Sequence, residues 1–262
     1  MTNKSKNSGF SLVELMIAMA IGLVVIGSVL AFTQSSLTAN TEYVQATRLS
    51  QELRNNMDVI SRDLRRAGYD ENVASYTAAS SISSLTLSPF SHIFVTNDKN
   101  ADGTTDDACV LYSYDRDGGA GGTVDLSSGE IRGFRRVVTA VDGINVGVIE
   151  MAESSAGVTP SCGGASPDYT KYPVGCASSG WCALSDAKVL NITSFTLDTS
   201  KYITQTGSAI STPLVIRELG VGLMGGLRQT QDNVTRGIKS SVKVRADCLE
   251  ASSVCDDPPT GS

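Results

Sequence analysis

The chain has 262 residues, six cysteines and a formal net charge of −6. That acidic balance argues against nonspecific nucleic-acid binding, which draws on clustered Lys and Arg, and no run of like charge marks a disordered tail. The only histidine, His92, makes a Ser-His-Asp or Cys-His catalytic arrangement improbable. No G-x-x-x-x-G-K-[ST] phosphate loop occurs either.

The N-terminus carries the strongest signal. Lys4 and Lys6 precede Gly9-Phe10-Ser11-Leu12-Val13-Glu14-Leu15, and residues 15–32 are 18 positions without a charge. With residues 10–13 the stretch is long enough to cross a hydrocarbon core of ~30 Å. The lysine bias predicts a cytoplasmic N-terminus with the rest of the chain outside. A secretory signal peptide places its cleavage site after the apolar stretch. Here the small residue comes first, so a cut after Gly9 would leave the apolar segment on the mature protein. Glu14 has no use in a simple anchor, because an ionised carboxylate in lipid is costly and usually has a partner. Gly22 and Gly27 suit close helix approach, and equally the general glycine content of membrane helices.

These residues resemble the class III leader of type IV prepilins and pseudopilins. The resemblance covers about thirty residues and needs Gly9, Phe10, Glu14 and the apolar run together. It implies that a prepilin peptidase removes residues 1–9 and methylates the amine of Phe10. It also implies that Glu14 docks on the N-terminal amine of a neighbouring subunit, an attraction that is strong where water is scarce and offsets the cost of the buried acid.

Past residue 33 the chain turns polar but keeps a helical period. Leu49, Leu53, Met57, Ile60, Leu64 and Ala67 form one stripe. Arg48, Glu52, Arg54, Asp58 and Arg62 occupy the other face. Gly68 suits a C′ position, with Arg65 and Arg66 in the last turn. The pattern predicts one helix over residues 10–67, ~85 Å long, whose outer half needs a sheet to cover its stripe. The run Ile60-Ser61-Arg62-Asp63-Leu64-Arg65-Arg66-Ala67-Gly68-Tyr69 resembles the helix end of the PilW family of minor pilins, and J-type pseudopilins of type II secretion look similar.

Beyond Tyr69 the chain is rich in Ser, Thr and Gly. Strand-like segments recur at 84–88, 92–96, 108–114, 130–139, 146–151, 191–198, 214–223 and 237–246. Residues 117–122 read as a loop, and residues 154–185 as a stapled loop region around Trp181. Gly220, Gly222, Gly225 and Gly226 suggest bulges or close packing. Tyr112 and Tyr114 share a strand face and are expected to pack.

The cysteines are Cys109, Cys162, Cys176, Cys182, Cys248 and Cys255. An even count on the exported side predicts disulfides. Zinc is the weaker reading, since no C-x-x-C pair is present and His92 is remote. Cys248 and Cys255 are expected to close a small loop. Should all six be oxidised, Cys109 then bridges to Cys162, Cys176 or Cys182, a choice the sequence leaves open.

The segment 98–107 begins as D-x-[DN]-x-[DN]-G. Asp98, Asn100, Asp102 and Asp106 would supply oxygens to calcium. Cys109 stands where an EF-hand needs its bidentate Glu, and an Asp/Asn/Gly-rich turn explains the same residues.

The expectation is an α+β protein of the type IV pilin fold, not an enzyme. It comprises a leader (1–9), a transmembrane and polymerisation half-helix (10–32), an amphipathic half-helix (33–69) and a β-rich extracytoplasmic head (70–262). The resemblance implies a minor pilin that primes pilus assembly in a tip-associated complex. Its partners would be other minor pilins, the major pilin, the prepilin peptidase and a tip adhesin. It would sit in the inner membrane before reaching the pilus. A type II secretion pseudopilin and a membrane-anchored binding module are the alternatives.

Overall fold

The computed structural model describes residues 11–71, 88–98, 107–118, 123–205, 214–228, 235–245, 248–249 and 256–261. Helix α1 spans Leu12–Leu64. Two compact units divide after Arg48, so α1 contributes to both and each unit is described by itself.

In the first unit α1 buries nothing. Its apolar side chains face outward all round, Phe32 being 75% exposed. The hydroxyls of Ser28, Thr33, Thr38, Thr41 and Thr47 donate to the carbonyls of Val25, Val29, Gln34, Leu37 and Tyr43. None of these hydroxyls seeks a partner beyond the helix, and for Ser28, inside the apolar run, that is what a lipid environment demands.

In the second unit the stripe is buried as its spacing predicts. Leu49, Leu53, Met57, Ile60, Leu64 and Ala67 are all at most 3% exposed. Arg48, Arg54, Asp58 and Arg62 face solvent. The helix ends at Leu64, short of the expected residue 67, because Arg66 and Ala67 donate to the carbonyls of Asp63 and Leu64 in a tightened last turn. Gly68 then takes φ +75°, the left-handed conformation glycine adopts without Cβ strain. Its N–H donates to Ser113 O at 2.8 Å. The chain thereby leaves the helix already tied to the sheet.

Eleven strands are described: β1 Ile93–Thr96, β2 Cys109–Ser113, β3 Ile131–Val141, β4 Ile144–Glu153, β5 Trp181–Ala183, β6 Leu190–Asp198, β7 Ile203–Gln205, β8 Leu214–Ile216, β9 Glu218–Leu227, β10 Thr235–Lys243 and β11 Cys248–Leu249. They form antiparallel sheets ordered β1-β2-β3-β4-β5, β10-β9-β6 and β11-β8-β7. The α1 stripe shares one buried cluster with Ile93, Val110, Tyr112, Phe134 and Ile149 of the first sheet and Phe195, Leu197, Val221 and Leu223 of the second. The first two sheets meet where Ala108 N donates to Phe195 O at 3.0 Å and Arg136 Nε to Ile192 O at 2.7 Å.

One expected strand becomes two. The run 214–223 breaks at Arg217, which is 1% exposed and donates to Ser91 O at 2.8 Å. β8 and β9 on either side of it enter different sheets. The glycines of β9 mark close approach. A Cβ at Gly225 would come 2.8 Å from Asn191 O, beside the register shift between Ile192 and Ser194. Residues 154–185 hold β5 within an otherwise irregular stretch. The expected strand at 84–88 lies, save Ser88, outside the described residues.

The stripe sets a simple test. Leu53→Ala should lower the stability of this unit by about 2–5 kcal/mol through lost burial and the cavity left behind. Arg54→Ala, one residue along but exposed, should stay within about 0.5 kcal/mol. Urea unfolding followed by the single tryptophan, Trp181, distinguishes the two.

Candidate functional site

Glu14 lies in the first turn of α1, within a surround of exposed Leu, Val, Ile and Met side chains. No cation pairs with it among the described residues. A Cβ at Gly22 or Gly27 would meet nothing within 4 Å, so neither glycine makes room for anything within the chain itself. The helix is long and apolar enough to cross a membrane. Gly9 and Phe10 lie outside the described residues.

At the far end of α1, inside the second unit, a polar network replaces apolar packing. Asp63, 8% exposed, accepts from Tyr112 Oη at 2.6 Å and lies 2.8 Å from Arg132 Nε. That close ion pair lacks hydrogen-bond alignment at Nε. Arg132 also reaches Glu153 at 3.2 Å, and Glu153 holds Arg116 at 2.5 Å. Burial, followed by the neighbouring Asp63 charge, pushes the Tyr112 phenol well above its usual 10.0. The folded state therefore keeps this proton after the unfolded chain would release it. Its stabilising contribution is complete below pH 10 and drains away as pH rises beyond it. Urea midpoints measured from pH 8 to 11 should fall at the alkaline end, and less steeply in Tyr112→Phe.

The cysteines pair as Cys109–Cys162 and Cys176–Cys182. The first resolves the choice left open for Cys109. It ties β2 to the irregular stretch, and the second closes a short loop before β5. The expected Cys248–Cys255 pair cannot be placed, since Cys255 lies outside the described residues. Trp181, fully buried, anchors the loop: Nε1 donates to Ser161 O at 2.9 Å, and the Arg135 guanidinium lies 4.0 Å over its ring. Arg135 in turn pairs with Glu150 at 2.7 Å and donates to the carbonyls of Cys162 and Gly164.

Of the expected calcium ligands, Asn100, Asp102 and Asp106 lie outside the described residues. Asp98 bridges Asp107 between the ends of β1 and β2. A different set of carboxylates, which the sequence pattern did not suggest, converges elsewhere. Asp115, Asp117 and Glu130 bring oxygens within 4.8 Å of one another. Backbone N–H groups of Glu71 and Gly118 bond Asp115, and those of Arg116 and Asp125 bond Glu130. These donors offset the mutual repulsion, while burial still raises the Glu130 carboxyl above its usual range.

Two family models match the chain. That of the prokaryotic N-terminal methylation motif matches residues 4–30, and that of prepilin peptidase-dependent protein B (PpdB) matches residues 42–244. The chain belongs to the PpdB family. No curated protein and no solved structure matches it. The methylation-motif match spans Gly9, Phe10 and Glu14, and the PpdB match takes in the α1 stripe, the Asp63 network and most of the strands. Pilin-like families of this kind are structural, and this PpdB-family protein is not an enzyme. It is a type IV pilin-like or pseudopilin-like protein; both family matches imply dependence on prepilin peptidase, and its N-terminal helix fits an inner-membrane anchor.

Proposed function

We propose that the protein is a minor pilin that contributes to priming and assembly of a type IV pilus, as its likeness to the PilW minor pilins at residues 60–69 suggests. The observation that carries this reading is Glu14: an acid in an apolar helix whose sides are bare and which finds no cation among the described residues. Such a group has a purpose when a second subunit supplies the charge. Prepilin peptidase would cut between Gly9 and Phe10 and methylate the new amine. The acid at the fifth mature position would then pair with the terminal amine of a neighbour. Residues 1–9 would be the leader, residues 10–32 the membrane and polymerisation segment, and residues 70–262 the periplasmic head. Other minor pilins, the major pilin and a tip adhesin are the proposed partners, and the pilus on the cell surface the final location.

The same chemistry serves a pseudopilin of type II secretion, so the test must separate outputs. A clean deletion strain should lose surface pili, counted by electron microscopy, while secreted exoprotein activity stays normal. Normal pili with lost secretion would transfer the protein to the pseudopilins. If both stayed normal, an anchored binding module would replace the assembly role.

A further inference from the structure

A pocket of about 330 Å³ opens beside the outer end of α1. Four arginines from four segments meet there: Arg66 in the turn that follows the helix, Arg116 after β2, Arg132 on β3 and Arg245 after β10. Tyr69, Tyr114 and Asp115 complete the lining. Such convergence is unexpected in a chain of net charge −6, where dispersed arginines would suffice for solubility.

Two of the four are explained by internal pairing. Arg132, its side chain 11% exposed, is held by Asp63 and Glu153, and Arg116 by Glu153 at 2.5 Å and Ser128 O at 3.1 Å. The other two are not. The contact of Arg66 with Asp63 is 3.9 Å long, at a side chain 58% exposed, a geometry that contributes little. Arg245 has its guanidinium 5.6 Å over the Tyr69 ring and no carboxylate within ion-pair reach among the described residues. Its segment is nevertheless fixed, because Arg245 N donates to Ala67 O at 3.3 Å. Two planar forks with unspent N–H donors are thus held at the rim, with two paired arginines behind them.

The geometry points to a binding site for a carboxylate, received by Arg66 and Arg245 and lined by Tyr69 and Tyr114. An arginine fork matches a carboxylate edge with two parallel N–H···O bonds. The acids select the charge. Asp115 stands in the wall, its oxygens engaged by the Glu71 and Gly118 N–H groups, and Glu153 lies behind Arg116 and Arg132. With Asp63 on Arg132 and with Asp117 and Glu130 beside Asp115, the four guanidiniums leave little positive excess, so the compact double charge of sulfate is disfavoured while a single carboxylate edge, including one end of succinate, still meets the forks. The exposed Tyr69 ring under the Arg245 guanidinium offers apolar surface for the carbon next to it. The carboxylate would come from an acidic side chain on a neighbouring protein or from a small free acid. The site stands whether or not the chain enters a filament.

Calorimetric titration of the full chain in a neutral detergent at low ionic strength tests this. The probes are the capped peptide Glu-Glu-Glu, succinate and inorganic sulfate. Saturable binding of the peptide or of succinate is expected, weakened by about tenfold or more in the double variant Arg66→Gln/Arg245→Gln, as the loss of charge-assisted bonds implies. Because both side chains are exposed, the variant should unfold at the wild-type urea midpoint. Arg66→Lys/Arg245→Lys keeps the charge without the fork and should also bind more weakly. Binding of the peptide alone would assign the carboxylate to a protein neighbour, and of succinate alone to a free acid; both support the site. Absence of saturable heat with both carboxylates, tighter binding of sulfate, or unchanged affinity in the Gln variant would overturn it.

Discussion

Glu150→Ala should destabilise the unit formed by residues 49–262 by about 3–5 kcal/mol, the cost of leaving a buried charge without its partner. Glu150 and Arg135 face each other across β3 and β4 and are 0% and 1% exposed. The guanidinium spends its remaining donors on the carbonyls of Cys162 and Gly164 and the hydroxyl of Ser166. It is therefore the pin that holds the stapled stretch against the sheet. Burial lowers the Arg135 pKa, and the adjacent Glu150 charge opposes that shift. Removing Glu150 also takes the acceptor from the Tyr169 hydroxyl, 3.1 Å away. Trp181 lies directly under Arg135, so its fluorescence reads the damage locally. A urea midpoint within 0.5 kcal/mol of wild type would show that the pair is not what secures this region. Glu150→Gln, which keeps an acceptor near Arg135 while losing the charge, should fall between the two.

The largest effect on function is expected at Glu14. Glu14→Ala and Glu14→Val should both insert into the membrane as the wild type does, since each removes a charge that lipid penalises, by less in this first turn than the roughly 2.5–3.5 kcal/mol at mid-helix. Incorporation into the filament should nevertheless fall severely, because the neighbour's amine loses its counter-charge in a medium where such pairs are strong. Membrane fractionation against the content of sheared pili separates the two steps. Incorporation of either variant at the wild-type level would remove Glu14 from the docking role. Loss of the variant from the membrane fraction would relocate its effect to insertion.

What the sequence disclosed follows from the range of each interaction. The stripe from Leu49 to Ala67 was legible because a helix repeats its buried face every three or four residues, and all six members are buried as expected. The strands around 93–96, 109–113, 131–141, 144–153 and 190–198 were legible from alternation and β-branched content, though their ends shifted by a residue or more. β5 and β7, at three residues each, are too short to carry a period. Asp63 was not recognised as buried. Among Arg62, Arg65 and Arg66 it looks like part of a solvated face, and its partners Tyr112 and Arg132 arrive from distant strands. Arg135 and Glu150 were missed for the same reason, although an acid between Ile149 and Met151 was a signal that could have been followed. The convergence of Asp115, Asp117 and Glu130 depends on two turns meeting, which no local motif announces. The residues proposed for processing and docking lie at the opposite extreme. Gly9, Phe10 and Glu14 stand within six positions of one another, and their meaning is carried by order along the chain.

Maturation of this chain is proposed to occur ahead of its apolar helix, so that the helix is kept. Mass spectrometry of the N-terminal peptide from protein purified out of its own membranes tests it directly. The expected first residue is Phe10 bearing one N-methyl group, with residues 1–9 gone. A mature N-terminus beyond Phe32 would make the apolar segment an ordinary signal peptide, and a chain still carrying Lys4, Lys6 and Gly9 would make it a plain anchor; either result would rule out cleavage after Gly9 with the helix kept.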